Sequence, residues 1–226
     1  MHRGKKYLNV KKLVDPKKVY PLDEAIDLVK KTSITKFDGT IELTMKLNLD
    51  TTKAEQQLRG NIALPHYFGK KVRVLVLDDN LTKEKAHEHH ITLFGGSEQI
   101  TKIKEGWLDF DVIVTTPKFM PELSKLGKIL GPKNLMPNPK LGTVTPNPVH
   151  VAQDFLKGKY SYRTDTYGNI HVGIAKVSAS EKAIKENVEA FINFIKTKRP
   201  STIKGDLIQK IYLCSSMGPS IKVQIN

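Results

Sequence analysis

Val72-Arg-Val-Leu-Val-Leu-Asp78 marks a change in the chain's pattern. The run is almost continuously apolar, as in a strand buried on both faces of a parallel sheet. Upstream, Thr40-Ile-Glu-Leu-Thr-Met-Lys-Leu-Asn-Leu-Asp50 alternates polar and apolar residues without a break. That alternation describes a strand with one face in a core and the other bare. Ile41, Leu43, Met45, Leu47 and Leu49 form its apolar side, and Thr40, Glu42, Thr44 and Lys46 form the other. Two kinds of strand in one chain imply two kinds of sheet.

Working outward, the stretch after Asp78 alternates helix and strand at βαβ spacing. A polar helical stretch spans 82–90, Thr92-Leu-Phe94 is closed by Gly95-Gly96, and a helix spans 97–105. A strand over 110–115 and helices over 117–130 and 147–158 follow. This order predicts a small parallel, doubly wound sheet. After Lys159 the first pattern returns. Residues 160–163 and 169–175 look like a hairpin, and Ser178 with Glu181 matches a capping box. The helix it opens runs to about Lys198 with Ile184, Val188, Phe191, Ile192 and Ile195 on one face, and Pro200 stops it. Residues 207–214 and 221–225 read as closing strands.

At the other end, Arg3, Lys5, Lys6, Lys11 and Lys12 form a cationic arm that Asp15-Pro16 ends. Asp23 and Glu24 then open a short amphipathic helix, where the dipole favours carboxylates, and residues 61–64 suggest a second strand stopped by Pro65. The predicted fold class is therefore mixed α/β and α+β in two domains. Residues 1–66 and 160–226 form a discontinuous antiparallel α+β domain, and 67–159 is an inserted doubly wound α/β domain.

Composition bounds the function. The 226 residues include 37 Lys plus Arg against 23 Asp plus Glu, a net charge of +14. Self-repulsion of that size points to a polyanionic partner, with nucleic acid ahead of an anionic membrane surface. The terminal segments carry +10 of it, from 13 basic and 8 acidic residues in 1–66 and 10 and 5 in 160–226. That domain is the better candidate for the main nucleic-acid surface. No run of 18 apolar residues exists, so no membrane span is expected, and the basic N-terminus lacks the apolar segment of a secretory signal. The single cysteine, Cys214, excludes a disulfide framework and reads as a small core residue. His87-Glu-His-His90 lacks the partners of a metal site, so neither a metal nor a cofactor is expected. No GxGxxG, phosphate loop or local catalytic motif is present, which disfavours an enzyme.

Two patches stand out. In Lys36-Phe37-Asp38-Gly39-Thr40-Ile41-Glu42 a lysine and an aromatic meet at the start of a strand. Phe37 either stacks on a base or sugar while Lys36 meets phosphate, or simply caps the core. Glu42, which would repel phosphate, could accept from a ribose 2′-OH or a base amine. In Cys214-Ser215-Ser216-Met217-Gly218-Pro219-Ser220, Ser215, Ser216 and Ser220 supply small hydroxyls and Gly218 permits close backbone approach. The alternative is an ordinary hairpin turn with an incidental methionine.

Between Lys125 and Pro148 lie five prolines, three glycines and four lysines, with no acid from Leu123 to Gln153. Neither a continuous helix nor a central strand fits there. The interleaved Ile129, Leu130, Leu135, Met136, Leu141 and Val144 predict an ordered cationic loop pinned by its apolar residues.

The segment Gly127-Lys-Ile-Leu-Gly-Pro-Lys-Asn-Leu-Met-Pro-Asn-Pro-Lys-Leu-Gly-Thr-Val144 closely resembles the defining segment of the large-subunit ribosomal proteins of the L-one stalk, bacterial type. Asp15-Pro16, Lys36-Phe37-Asp38, Arg59-Gly60, Leu64-Pro65-His66, Gly106-Trp107 and Met217-Gly218-Pro219-Ser220 look like further landmarks, in order. The resemblance implies the same discontinuous α+β domain with an inserted three-layer α/β domain, joined by a two-strand hinge. It implies a non-enzymatic constituent of the cytoplasmic large ribosomal subunit. The partners it implies are ribosomal RNA of the mobile stalk, deacylated tRNA leaving the exit site, and the messenger of its own operon, whose translation it represses. Off the ribosome a monomer is expected. Carried onto this chain, the RNA surface comprises Lys36, Phe37, Thr40, Glu42, Ser216, Met217 and Gly218, with Ser215, His171, Arg163 and Lys53 added by neighbourhood. Two departures are visible: Thr51-Thr52-Lys53 is less basic than the family pattern, and position 216 is Ser where Thr is common.

Overall fold

The computed structural model describes residues 4–53, 55–69, 72–79 and 81–224. Arg3 of the basic arm and Ile225 of the last expected strand lie outside the described residues. In chain order the first elements are α1 (Lys5–Lys11), α2 (Leu22–Lys31), β1 (Thr40–Leu47) and β2 (Arg59–Ala63). Then come β3 (Val74–Leu77), α3 (Lys83–Glu88), β4 (Leu93–Gly95), α4 (Ser97–Lys104) and β5 (Val112–Thr115). A 3₁₀ turn at Pro117–Phe119 leads into α5 (Met120–Lys125), α6 (Gly127–Leu130) and α7 (Pro148–Leu156). The chain closes with β6 (Lys159–Arg163), β7 (Asn169–Lys176), α8 (Glu181–Thr197), β8 (Ile208–Ser215) and β9 (Ile221–Val223). Contacts divide it into two compact units, residues 1–69 with 162–226 and residues 70–161.

The first unit is built on a four-stranded antiparallel sheet in the order β7-β1-β8-β9. Alternation along β1 puts Ile41, Leu43, Met45 and Leu47 on one face, where α2 and α8 pack. Ala25, Ile26 and Val29 of α2 and Ile184, Val188, Phe191 and Ile195 of α8 complete this core. A one-residue slip of β1 would turn all four buried side chains to solvent, so burial locks its register against both neighbours. The opposite, bare face presents Glu42, Thr44 and Lys46, none of them buried. Helix α1 buries none of its residues.

The second unit holds the parallel sheet β4-β3-β5. All four residues of β3 are buried, and alternation sends them to two cores. Leu75 and Leu77 join Ile100 and Ile103 of α4, Leu123 of α5 and Leu130 of α6. Val74 and Val76 join Ala86 of α3 and Ala152 and Phe155 of α7 on the other side. The layers are helix, sheet, helix. The proline-rich segment is anchored as its apolar residues suggest, with Leu135 and Met136 packed on the first of these cores. Beyond them the chain returns beside β5, where Thr115 N–H donates to Thr143 O at 2.9 Å and Thr145 N–H to Thr115 O at 3.0 Å.

Several sequence expectations are corrected. Strands β6 and β7 do not pair as a hairpin: β6 pairs with β2 and β7 with β1, and a single bridge, Thr164 to Ile170, links the two segments. Helix α8 is capped by Ser180, whose side chain accepts from Ala183 N–H, and not by Ser178. The helical stretch 117–130 is divided, with Pro117 and Pro121 confined to first turns and a break at Leu126. Leu49 falls beyond the end of β1 and is only half-buried. Cys214 is not a core residue: Ile211, Leu213 and Ser215 take the buried positions of β8, so Cys214 sits half-buried on the bare face.

Candidate nucleic-acid interface

At one end of the antiparallel sheet, the segment entering β1 meets the turn from β8 to β9. Their junction continues the β1–β8 ladder, in which Ile41 pairs with Ser215. Beyond that pair, Ser216 N–H donates to Thr40 O at 3.0 Å, and Thr40 N–H donates to Ser216 Oγ at 3.1 Å. Gly218 N–H closes the turn by donating to Ser215 O at 2.8 Å. The turn forces Met217 to φ 62°, a left-handed conformation uncommon outside glycine, and presents its side chain 74% exposed.

The entering segment is clamped as firmly. Thr35 Oγ1 donates to Phe37 O at 2.9 Å, and Val177 N–H donates to Gly39 O at 2.9 Å. Asp38 accepts from Ser178 Oγ at 2.7 Å and from Ser178 N–H at 3.1 Å. The Ser178 hydroxyl, then its backbone N–H, hold the Asp38 carboxyl below its ordinary value. Between these clamps Phe37 points outward, 63% exposed, so it does not cap the core. Lys36 is exposed beside it and makes no ion pair among the described residues. The structure thus brings Lys36, Phe37, Thr40, Ser216, Met217 and Gly218 together on a backbone that is already ordered.

Other expected residues sit differently. Ser215 is 2% exposed, and its hydroxyl, lacking a hydrogen-bond partner, faces inward under Gly218 and not toward solvent. Gly218 is therefore needed for the chain's own approach: a Cβ there would run into Ser215 Oγ and lie 3.3 Å from Thr32 O. The Thr40 hydroxyl accepts from Lys176 Nζ at 2.9 Å. Glu42, on the bare face, is exposed and makes no hydrogen bond or ion pair among the described residues. It lies opposite Cys214, whose thiol is pushed up by burial and by the Glu42 charge. His171 is on the same face, with Nδ1 3.2 Å from Thr44 Oγ1 and Nε2 3.5 Å from Asp165.

Lys53 and Arg163 lie near the far end of β1, about 23 Å along the strand from Thr40 at ~3.3 Å per residue. Lys53 pairs with Asp50 at 3.6 Å, whose carboxyl is held low first by the Thr52 hydroxyl. Arg163 borders a shallow hollow with Thr51, Thr52, Gln57 and Thr166. Neither adjoins the Met217 turn. Sequence reasoning missed Lys176 and Ser178, the residues that hold the entry to β1, because both come from a segment more than 130 positions away.

In the second unit, the carboxyl end of a parallel sheet is where open α/β folds receive ligands. Here Asp79 pairs with Lys118, and its Oδ1 lies against Gly96, the N-cap of α4. No side chain accepts a hydrogen bond from the first turn of α4 among the described residues. No helix among the described residues is long and apolar enough to cross a membrane.

The chain is similar to known proteins over nearly its whole length. The sequence profile of the Ribosomal protein L1p/L10e family matches residues 29–219. The large ribosomal subunit protein uL1 of Mycoplasmoides gallisepticum is 53% identical over 94% of this chain and 93% of its own length. Those of Mycoplasma genitalium and Mesoplasma florum are each 50% identical, over 98% and 99% of this chain and 97% and 98% of their own. With a family match over residues 29–219 and identity of this extent, the chain belongs to the Ribosomal protein L1p/L10e family.

Proposed function

We propose that this protein is a constituent of the large ribosomal subunit, working in the cytoplasm, that binds ribosomal RNA of the mobile stalk near the tRNA exit site. The observation that carries the reading is the joint display of Phe37 and Met217, two large apolar side chains held in water by a hydrogen-bonded backbone. A fixed backbone spares the cost of ordering the chain on binding, and exposed apolar side chains suit contact with sugar and base. Lys36 and the +14 charge add salt-dependent attraction to phosphate, and Glu42 offers an acceptor for a ribose 2′-OH. On the same surface the protein would bind a similar structure in its own messenger and repress it. Beside the exit site it would assist release of deacylated tRNA, the lysines of the 125–148 loop giving secondary contacts.

The deciding experiment is affinity for a stalk-type ribosomal RNA fragment against DNA of matched sequence, across a salt series. RNA-selective binding that Phe37→Ala weakens and Met217→Asp abolishes, with unchanged circular dichroism, supports the site. Equal, steeply salt-dependent binding to both nucleic acids would reduce the surface to a generic polyanion binder.

A further inference from the structure

The bare face of the four-stranded sheet extends well past the Met217 turn. In register, His171 of β7, Thr44 of β1, Tyr212 of β8 and Lys222 of β9 form one row across all four strands. The next row along carries Lys46 on β1 and Lys210 on β8. None of these six side chains is buried. Tyr212 must face outward, because Ile211 and Leu213 on either side of it fill the core. Its ring and the His171 imidazole are two strands apart, about 9.6 Å at ~4.8 Å per strand, with only the small Thr44 between them. Lys210 and Lys222 make no ion pair among the described residues. Lys46 donates to the Tyr167 carbonyl and makes no ion pair among the described residues. The acid nearest this row, Asp165, already accepts from Asn169 and Tyr167 and lies beside His171.

We propose that this row is a platform for single-stranded RNA, with a base stacked on Tyr212 and phosphates met by Lys46, Lys210 and Lys222. The occupant follows from the chemistry of the face. A flat ring among unpaired cations on an open sheet matches the sequence-tolerant combination of stacking and charge that holds single strands. A duplex would meet the lysines but could offer no base face to Tyr212. An apolar protein surface would bury the lysines without partners. The face is also continuous, through Glu42 and Cys214 in the row before, with the surface around Thr40. The inference thus extends the RNA-binding reading above: a folded RNA held at the turn would lay an unpaired tail along the sheet.

The test uses the whole protein and two probes, the stalk-type fragment with and without an oligouridine tail of about six nucleotides, and the free oligouridine with 2-aminopurine at one position. The tail should raise affinity by roughly fivefold or more, and free oligouridine binding should quench the fluorophore. Tyr212→Ala should remove both effects and leave affinity for the tailless fragment unchanged. Tyr212→Phe, which keeps the ring and serves as the folding control, should retain them. A tail that adds nothing, or a gain that survives Tyr212→Ala, overturns the platform. Met217→Asp separates the two readings. It should abolish binding of the tailless fragment while oligouridine quenching persists; if fragment binding survives, the turn site fails and the platform stands on the quenching alone.

Discussion

Thr40 and Ser216 are joined through both backbone and side chain. Ser216 N–H donates to Thr40 O at 3.0 Å, and Ser216 Oγ accepts from Thr40 N–H at 3.1 Å. One serine therefore terminates the β1–β8 ladder and sets the position of its neighbour Met217. Ser216→Ala leaves the Thr40 N–H without its acceptor and should destabilise the protein by about 1 kcal/mol, whereas Ser216→Thr should not. Chemical denaturation of the three proteins checks this, and the alanine variant should also lose RNA affinity because Met217 is no longer fixed.

Gly218→Ala should destabilise by about 1–3 kcal/mol, because the added methyl runs into Ser215 Oγ. Ser215→Ala removes a buried hydroxyl that has no hydrogen-bond partner and should be neutral or slightly stabilising. The two changes should not add: the double variant should recover much of the loss, as the clashing atom is gone. A double-mutant cycle in denaturant decides it.

Asn187 is 1% exposed and holds the segment after β2 to the core. Its Nδ2 donates to His66 O at 2.8 Å and to Ile174 O at 2.9 Å, and its Oδ1 accepts from His66 N–H at 2.9 Å. Asn187→Ala strands three backbone groups, and a loss of about 2–4 kcal/mol is expected. Asn187→Asp should be no better, since a carboxylate would face two carbonyls. Thermal unfolding and hydrogen exchange of the His66 amide provide the readout.

Acid should destabilise the first unit in a defined window. The carboxyls of Asp38, Asp50 and Glu186 are held low, chiefly by hydrogen bonds from Ser178, Thr52 and His66 respectively. For Asp165, burial pushes upward but hydrogen bonds from Asn169, Tyr167 and His171 outweigh it. A depressed folded value means stability that is present above the unfolded value near pH 4 and lost as pH falls through the folded one. Unfolding free energy should therefore be flat from neutral pH to about 5 and decline below 4. Ser178→Ala should flatten part of that decline; an identical profile would show that the Asp38 clamp contributes nothing.

The expected elements and their observed partners divide along a physical line. The alternation over 40–50, the buried run at 74–77 and the amphipathic stripe of α8 were legible because burial imposes a local period on the side chains. The Phe37 and Met217 patches were legible as combinations of residue types, though their orientation was not. Whether Phe37 capped the core or faced water depended on Thr35 and Ser178, and Ser178 is 141 positions away from it along the chain.

By itself the sequence determined the kinds of strand and their order, the excess of positive charge, and the family through its proline-rich segment. Tertiary structure alone decided that β6 pairs with β2, that Ser215 turns inward while Ser216 ties the turn to β1, and that Cys214 lies on the bare face. It also placed Tyr212 in one row with His171 and Lys222. A period says that successive side chains face opposite ways, but not which way is in or which strand lies alongside. Pairing and register are set where distant segments bury surface together, and no local pattern encodes that.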